Sequence, residues 1–287
     1  LGHPLQLGRE ALSLLVTGES CQPDYDGGLP ARRLSTTLDW DQLVLAPQLP
    51  RALQGLAPAL AIGQIGQFGI RAQQETDMVQ ASFEAEYAAA AGHVLNRTGR
   101  EAFDAVKMLK DADPARYTPE NGAQYPRSPY GDALRQIAQL IKADVGLEVA
   151  FAETGNWDHH AQEGAAVGQL ANRLTDFGGG LAALVRDLGD RMSDVMILTM
   201  SEFGRTVAEN GNRGTDHGHG NAMMLIGGGV RGGKVYGKWP GLAREQRYEG
   251  RDLAVTTDFR TIFAEVASGH LGLTNTKHVF PGFSGPV

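Results

Sequence analysis

"DVMILTMSEFGR", residues 194–205, decides how this chain is read. Its first part is apolar at nearly every position, a run too short for a helix of ordinary length and suited to a strand buried on both faces. The segment after it, from Ser201 to Gly220, is polar and glycine-rich with no periodic face, so the strand delivers a long loop. That loop carries Glu202, Arg205, Asp216, His217 and His219.

Working outward, "GLEVAFAET" (146–154) reads as another strand, ending in the loop "GNWDHHAQEG", and "AMMLIGG" (222–228) as a third buried strand. Between the first two, Val167, Leu170, Leu174, Phe177, Leu181, Leu184 and Leu188 fall three and four apart and form one helix face, interrupted by the glycines at 178–180. "TTDFRTIFAEVASGHLG" (256–272) reads as an amphipathic helix from a Thr cap to a Gly stop. Alternating strands and helices predict an α/β fold, a mostly parallel sheet sandwiched by helices, in a single domain over 1–287.

The first half is less regular. "GREALSLLVTG" reads as a short helix, "CQPDYDGGLPARR" as loop, and "APALAIGQIGQFGI" (57–70) as a buried strand with its turn. Residues 76–110 read as two helices, with Met78, Phe83 and Tyr87 at helical spacings and assigned to the core. The proline-rich stretch 111–130 reads as a surface loop, and 130–145 as a further helix.

Composition narrows the partners. A formal net charge of -7 argues against nucleic acid or an anionic membrane as the default partner. No apolar run is long enough for a membrane span. The single cysteine, Cys21, permits neither an intrachain disulfide nor a thiolate metal site. No charged-then-apolar leader stands at the start of the sequence.

In parallel sheets the active site lies beyond the carboxyl ends of the strands. That rule selects the loop with Asp158, His159 and His160 and the loop with Glu202 to His219, which together hold four of the eight histidines. Carboxylate oxygen with imidazole nitrogen suits Zn, Mn or Fe better than Ca or Mg alone. The expected metal ligands are Asp158, His160, Glu202, Asp216, His217 and His219, with Glu202 placed by the strand end to point into the site. The bland alternative is that Asp and His in glycine-rich loops only cap turns; two such clusters on neighbouring strand ends weigh against it. Arg205 is open between a fork that holds an anionic group and an ion pair to Glu202 or Asp216. "GGVRGGK" (228–234) has the spacing of a phosphate-cradling loop, but Val235 comes next and no helix can start there, so a glycine-rich turn is the better account. His93 and His270 are read as structural.

The blocks "ETGNWDHHAQ", "ILTMSEFGRTVAENGNRGTDHGHGNAMMLIGGGVRGGKVYG", "TTDFRTIFAEV" and "VFPGF" resemble the DUF1501 family, strongly over about 146–287 and more weakly over 44–110. That family is similar to the alkaline phosphatase and sulfatase superfamily. The resemblance implies an alkaline-phosphatase-like fold and a divalent metal, zinc first with Mn or Fe as alternatives. Asp158 and His160 resemble the superfamily's Asp/His pair. Glu202 stands where its post-strand Asp would, Phe203 where the accompanying His would, and Asp216, His217 and His219 resemble its late His element. It implies hydrolysis of phosphate or sulfate esters, small anionic substrates, with Glu202 and Arg205 as catalytic residues and Arg205 or the metal stabilising the developing charge. The alternative is a non-catalytic exported metal-binding or surface protein of the same fold; a third reading is a plain α/β domain that binds no metal. An exported, periplasmic location also derives from the resemblance alone. The family's amino-terminal strand, with its acidic ligand and nucleophile, finds no counterpart, nor does its twin-arginine signal. The expectation is therefore a carboxyl-terminal piece whose sheet has a gap beside the 194–200 and 222–228 strands, exposing unpaired edges.

Overall fold

The structure, a computed structural model, describes residues 12–18, 42–44, 59–61, 65, 78, 81–83, 85–86, 107, 109, 116–201, 203–273, 280, 282–283 and 285. Its strands in chain order are β1 (Leu12–Gly18), β2 (Gln42–Val44), β3 (Ala59–Ala61), β4 (Val149–Thr154), β5 (Val195–Ser201), β6 (Gly204–Arg205), β7 (His217–Gly218) and β8 (Leu225–Gly227). Six of them form one sheet in the order β3-β2-β4-β1-β5-β8, and β6 pairs with β7 as a separate hairpin. β1 to β5 run parallel, and only β8 is antiparallel, against β5.

The gap expected beside β5 is filled. β1 lies between β4 and β5 and pairs with β5 from Leu12↔Val195 to Gly18↔Ser201 and with β4 from Ser13↔Val149 to Gly18↔Thr154. The stretch read as a short helix is thus a central strand. "LSLLVTG" is apolar at four of seven positions and short, so helical and strand periodicities fit it equally, and pairing on both sides decides. Unpaired edges at β5 are not expected once β1 is in place. The register also levels Gly18, Thr154 and Ser201, so the chain leaves β4 and β5 at the same end of the sheet.

The third strand read as buried, 222–228, is a three-residue edge of intermediate exposure. Its two glycines press on the preceding segment: a Cβ on Gly228 would lie 2.4 Å from Ser193 Cα. A longer side-chain-bearing strand does not fit there.

Three helices matter for the site: α1 (Pro129–Lys142), α2 (Gln169–Leu188) and α3 (Phe259–Gly269). Ser128 caps α1, accepting from Gly131 N at 3.0 Å, and Pro129 starts it with φ already helical. α1 buries Tyr130, Ala133, Leu134, Ile137, Ala138 and Leu140 on α2 and the sheet. The glycines at 178–180 do not break α2; a Cβ on Gly180 would stand 2.8 Å from the Tyr130 ring and 2.9 Å from Leu134, so that glycine sets the close approach of the two helices. Leu181, Leu184 and Leu188 are buried, each worth roughly 2 kcal/mol of apolar burial. Leu174 is exposed, and Val167 lies before the helix and is exposed too, so the predicted face is a core face only in its second half.

The cap of α3 is Asp258, whose carboxylate accepts from Arg260 N at 2.9 Å, rather than a threonine. Met78 and Phe83, placed in the core by their spacing, are exposed. Tyr87, Glu202 and His93 lie outside the described residues. No helix among the described residues is long and apolar enough to cross a membrane.

Candidate metal centre

Two loops leave the same sheet end, one from β4 and one from β5, and are stitched together. Trp157 Nε1 donates to Thr154 O at 2.8 Å and turns the first loop as it leaves the strand. The second doubles back as the β6–β7 hairpin, with Gly204 opposite Gly218 and Arg205 opposite His217. Glycine is required at Gly218, where a Cβ would stand 2.6 Å from the Arg205 backbone. Gly214 presses on the His159–His160 backbone in the same way. Between the loops, Gln162 N donates to Asn212 O (3.0 Å), Glu163 N to Arg213 O (2.9 Å) and Thr215 N to His159 O (3.1 Å). Asn210 is a local hub: its Oδ1 accepts from Asn212 N and Gly214 N, and its Nδ2 donates to His160 O and to Asp216 Oδ1, both at 2.9 Å.

This seam brings Asp158, His160 and His217 to one point. Asp158 Oδ1 lies 3.0 Å from His160 Nε2 and 2.8 Å from His217 Nε2, and the two imidazole nitrogens are 3.2 Å apart. Among the described residues this is the group of three or more metal-ligating side chains whose donor atoms converge. An ion with tetrahedral nitrogen and oxygen ligands at about 2.0–2.1 Å sets neighbouring ligand atoms about 3.3 Å apart, close to the edges of this triangle. The three side chains are 45–49% exposed, so the face opposite them opens to solvent. The donor set and its spacing fit a divalent transition metal.

The remaining candidates take other places. Asp216 stands behind His160, its Oδ1 2.8 Å from His160 Nδ1. That contact leaves Nε2 as the lone-pair nitrogen, the arrangement by which carboxylates orient metal-binding histidines. Phe203 stacks on the His217 ring with centroids 4.0 Å apart, so the residue at the expected histidine position braces an imidazole of the triangle. Arg205 does not pair with Asp216; its guanidinium reaches Asp158 Oδ1 at 2.8 Å and the carbonyls of Trp157 (2.5 Å) and Thr215 (2.9 Å). His219 is turned away from the triangle, with Nδ1 2.6 Å from Asp252 Oδ2. His159 is buried.

The acids are held ionised. The His217 hydrogen bond, and after it Arg205, keeps the Asp158 carboxyl below the usual carboxylate range. His160, then Asn210, does the same for Asp216, and Arg251, with His219, for Asp252. At the triangle itself, Asp158 and Asp216 stand beside the two facing imidazoles, with the Arg205 cation on Asp158.

No sequence signal singles out Asp252, a lone acid 33 residues beyond its histidine. It reaches the site because backbone bridges tie it to Thr206 and Tyr248. Asn210 is equally inconspicuous, in a polar loop where any Asn reads as a turn former; only its position within "ENGNRGTDH" hints at more.

A family model described as "Protein of unknown function (DUF1501)" matches residues 42–282. No curated protein matches the chain, and no solved structure does.

Proposed function

The chain belongs to the DUF1501 family, and from its site we propose a metal-dependent hydrolase of small phosphate or sulfate esters, with the ion held by Asp158, His160 and His217. The observation that carries the reading is the convergence of those three donor atoms on edges of 2.8, 3.0 and 3.2 Å. Zinc is the first choice of ion, with manganese or iron next, because two imidazoles and one carboxylate oxygen are its usual donors. When bound, the ion would supply Lewis-acid polarisation of an ester oxygen. The chain's own residues hold the ligands still: Asp216 and Asn210 aim His160, Phe203 braces His217, and Arg205 pins Asp158. Support for an alkaline-phosphatase-like fold comes from the parallel order of β1 to β5 and from ligands placed beyond the carboxyl ends of β4 and β5. Glu202, directly after β5, enters the proposal as a fourth ligand or catalytic group. The exported location belongs to the proposal on resemblance alone.

One observation favours a second reading, a non-catalytic metal-binding protein. Both terminal nitrogens of Arg205 are already engaged by Asp158 and two backbone carbonyls, so this cation is not free to hold a substrate anion. The experiment that separates the readings uses the chain loaded with Zn, Mn or Fe and offered p-nitrophenyl phosphate and p-nitrophenyl sulfate. The hydrolase reading expects stoichiometric metal and metal-dependent release of p-nitrophenol. Stoichiometric metal with no turnover leaves the second reading, and no metal sinks both.

A further inference from the structure

The metal reading leaves one exposed histidine of the site loops unused. Of the four histidines there, His159 is buried and His160 and His217 face each other, while His219 stands apart with half of its side chain exposed. Its Nδ1 lies 2.6 Å from Asp252 Oδ2, and its Nε2 has no hydrogen bond or ion pair to a described residue. Asp252 has no solvent exposure of its own. It is gripped by Arg251 (Nε to Oδ1 2.7 Å, terminal nitrogen to Oδ2 3.0 Å) and fixed by the bridges to Thr206 and Tyr248. The Tyr248 ring covers one side of the imidazole, centroids 4.5 Å apart.

This geometry fixes the tautomer. A carboxylate can only accept, so Nδ1 carries the proton and Nε2 presents its lone pair outward. The ring is held by a charged partner and a wall, so little freedom is lost when Nε2 meets an electrophile. His217 and His219 are two residues apart, which places their Cα atoms within about 7 Å of each other even on fully extended chain. The backbone therefore keeps the His219 ring in the neighbourhood of the triangle, although its Nδ1 is turned to Asp252. The neighbouring hydroxyls are turned elsewhere: Ser201 Oγ donates to Phe203 O, Thr206 Oγ1 to Ala208 O, and Thr215 Oγ1 to Glu163 in the seam between the loops.

We propose that His219 is the nucleophile of this site and that its substrates are phosphate esters. The inference rests on the hydrolase reading and narrows it. In the first step the Nε2 lone pair forms a bond to phosphorus as the ester P–O bond breaks; the electron pair leaves with the alcohol oxygen, which takes a proton from water. In the second, water attacks phosphorus, the P–N bond breaks, and its pair returns to Nε2 as phosphate departs. Asp252 stays ionised throughout and steadies the imidazole while it carries the phosphoryl group.

The test begins without metal. The full chain is treated with phosphoramidate, a small phosphoryl donor, and the label is located by mass spectrometry under alkaline conditions that preserve phosphohistidine. His219 takes the phosphoryl group at least about tenfold faster than any other histidine, and Asp252→Asn slows that labelling about tenfold, the loss expected for one charge-assisted hydrogen bond. His219→Gln, a change at a half-exposed side chain, abolishes it. Labelling that tracks exposure alone, or an Asp252→Asn chain labelled as fast as the parent, overturns the proposal. In a second arm, zinc-loaded chain is quenched in alkali during turnover of p-nitrophenyl phosphate. A phosphoryl group on His219 is expected, and turnover that survives in His219→Gln overturns the assignment. The first arm needs no ion, so its failure is distinct from failure of the metal reading, which zinc binding measures directly.

Discussion

Asp187 and Asp158 are two carboxylates with several partners each, and they are opposite in kind. Asp187, in the last turn of α2, is fully buried and accepts from Tyr117 Oη, Tyr125 Oη at 2.7 Å, Glu120 N at 2.7 Å and Lys142 Nζ at 2.5 Å. Every partner is a donor and one carries the opposite charge. Burial pushes its pKa up, but Lys142, Tyr117, Glu120 N and Tyr125 outweigh that and hold it ionised. Burial, and after it the hydrogen bond to Asp187, raises the Tyr117 and Tyr125 hydroxyls. Asp158 is half exposed and meets two imidazole nitrogens, of which His160 Nε2 is a lone-pair atom by virtue of Asp216. Arg205 and His217 donate to it, while His160 Nε2 faces it with a lone pair. The saturated carboxylate is a structural pin that locks residues 117–125 onto α1 and α2. The half-exposed one, facing a lone-pair nitrogen beside its donors, is the one the metal proposal sets against an ion.

The sharpest way to break this contrast is to remove a ligand. His217→Ala is expected to lower zinc affinity at least a hundredfold, about 3 kcal/mol, with the metal-free melting temperature nearly unchanged. Competition with a chromophoric chelator reads the first, and calorimetry the second. Asp187→Ala reverses the pattern. It strands Lys142 and two tyrosine hydroxyls, so about 3 kcal/mol of stability is lost in denaturant unfolding while zinc affinity stays within about twofold. A substitution at Asp187 that weakened metal binding as much as stability would erase the distinction between the two regions.

Smaller effects sharpen it. Asp216→Asn keeps the shape behind His160 but removes the charge, and a tenfold loss of zinc affinity is expected, from the 10–100-fold typical of such supporting groups. The smallest effect is on acid stability. The folded pKa of Asp187 is depressed, so its contribution is complete above the unfolded value of about 3.9 and is lost as pH falls through the folded one. The stability difference between the parent and Asp187→Ala should be constant from neutral pH to about pH 5 and shrink below pH 4. A difference that grew on acidification would mean that Asp187 is protonated at neutral pH.

The sequence reveals most where chemistry is concentrated. β4 and β5 are built on short, mostly apolar runs, and eight histidines in the chain with four in two loops leave few alternatives for the site. The features it hides depend on partners far along the chain. β1 reads as a helix because a seven-residue apolar segment is settled only by strands that arrive more than a hundred residues later. β8 reads as buried because apolar content does not tell an edge from a centre. Asp158, rather than Asp216, is the partner of Arg205 because the β6–β7 hairpin turns the guanidinium toward the β4 loop. Asp216 and His219, expected as ligands, stand on the far side of His160 and on Asp252, a difference of side-chain direction that spacing alone does not encode.

The central claim is that three donor atoms converge because they hold an ion. Zinc titration of the full chain, then X-ray absorption at the zinc edge, tests it most directly. The account predicts one tightly held zinc per chain at the triangle, with two imidazole nitrogens and a carboxylate oxygen in its coordination shell, and loss of that shell in His160→Ala. The absence of stoichiometric zinc, or a bound zinc whose shell lacks imidazole and survives His160→Ala, would contradict it.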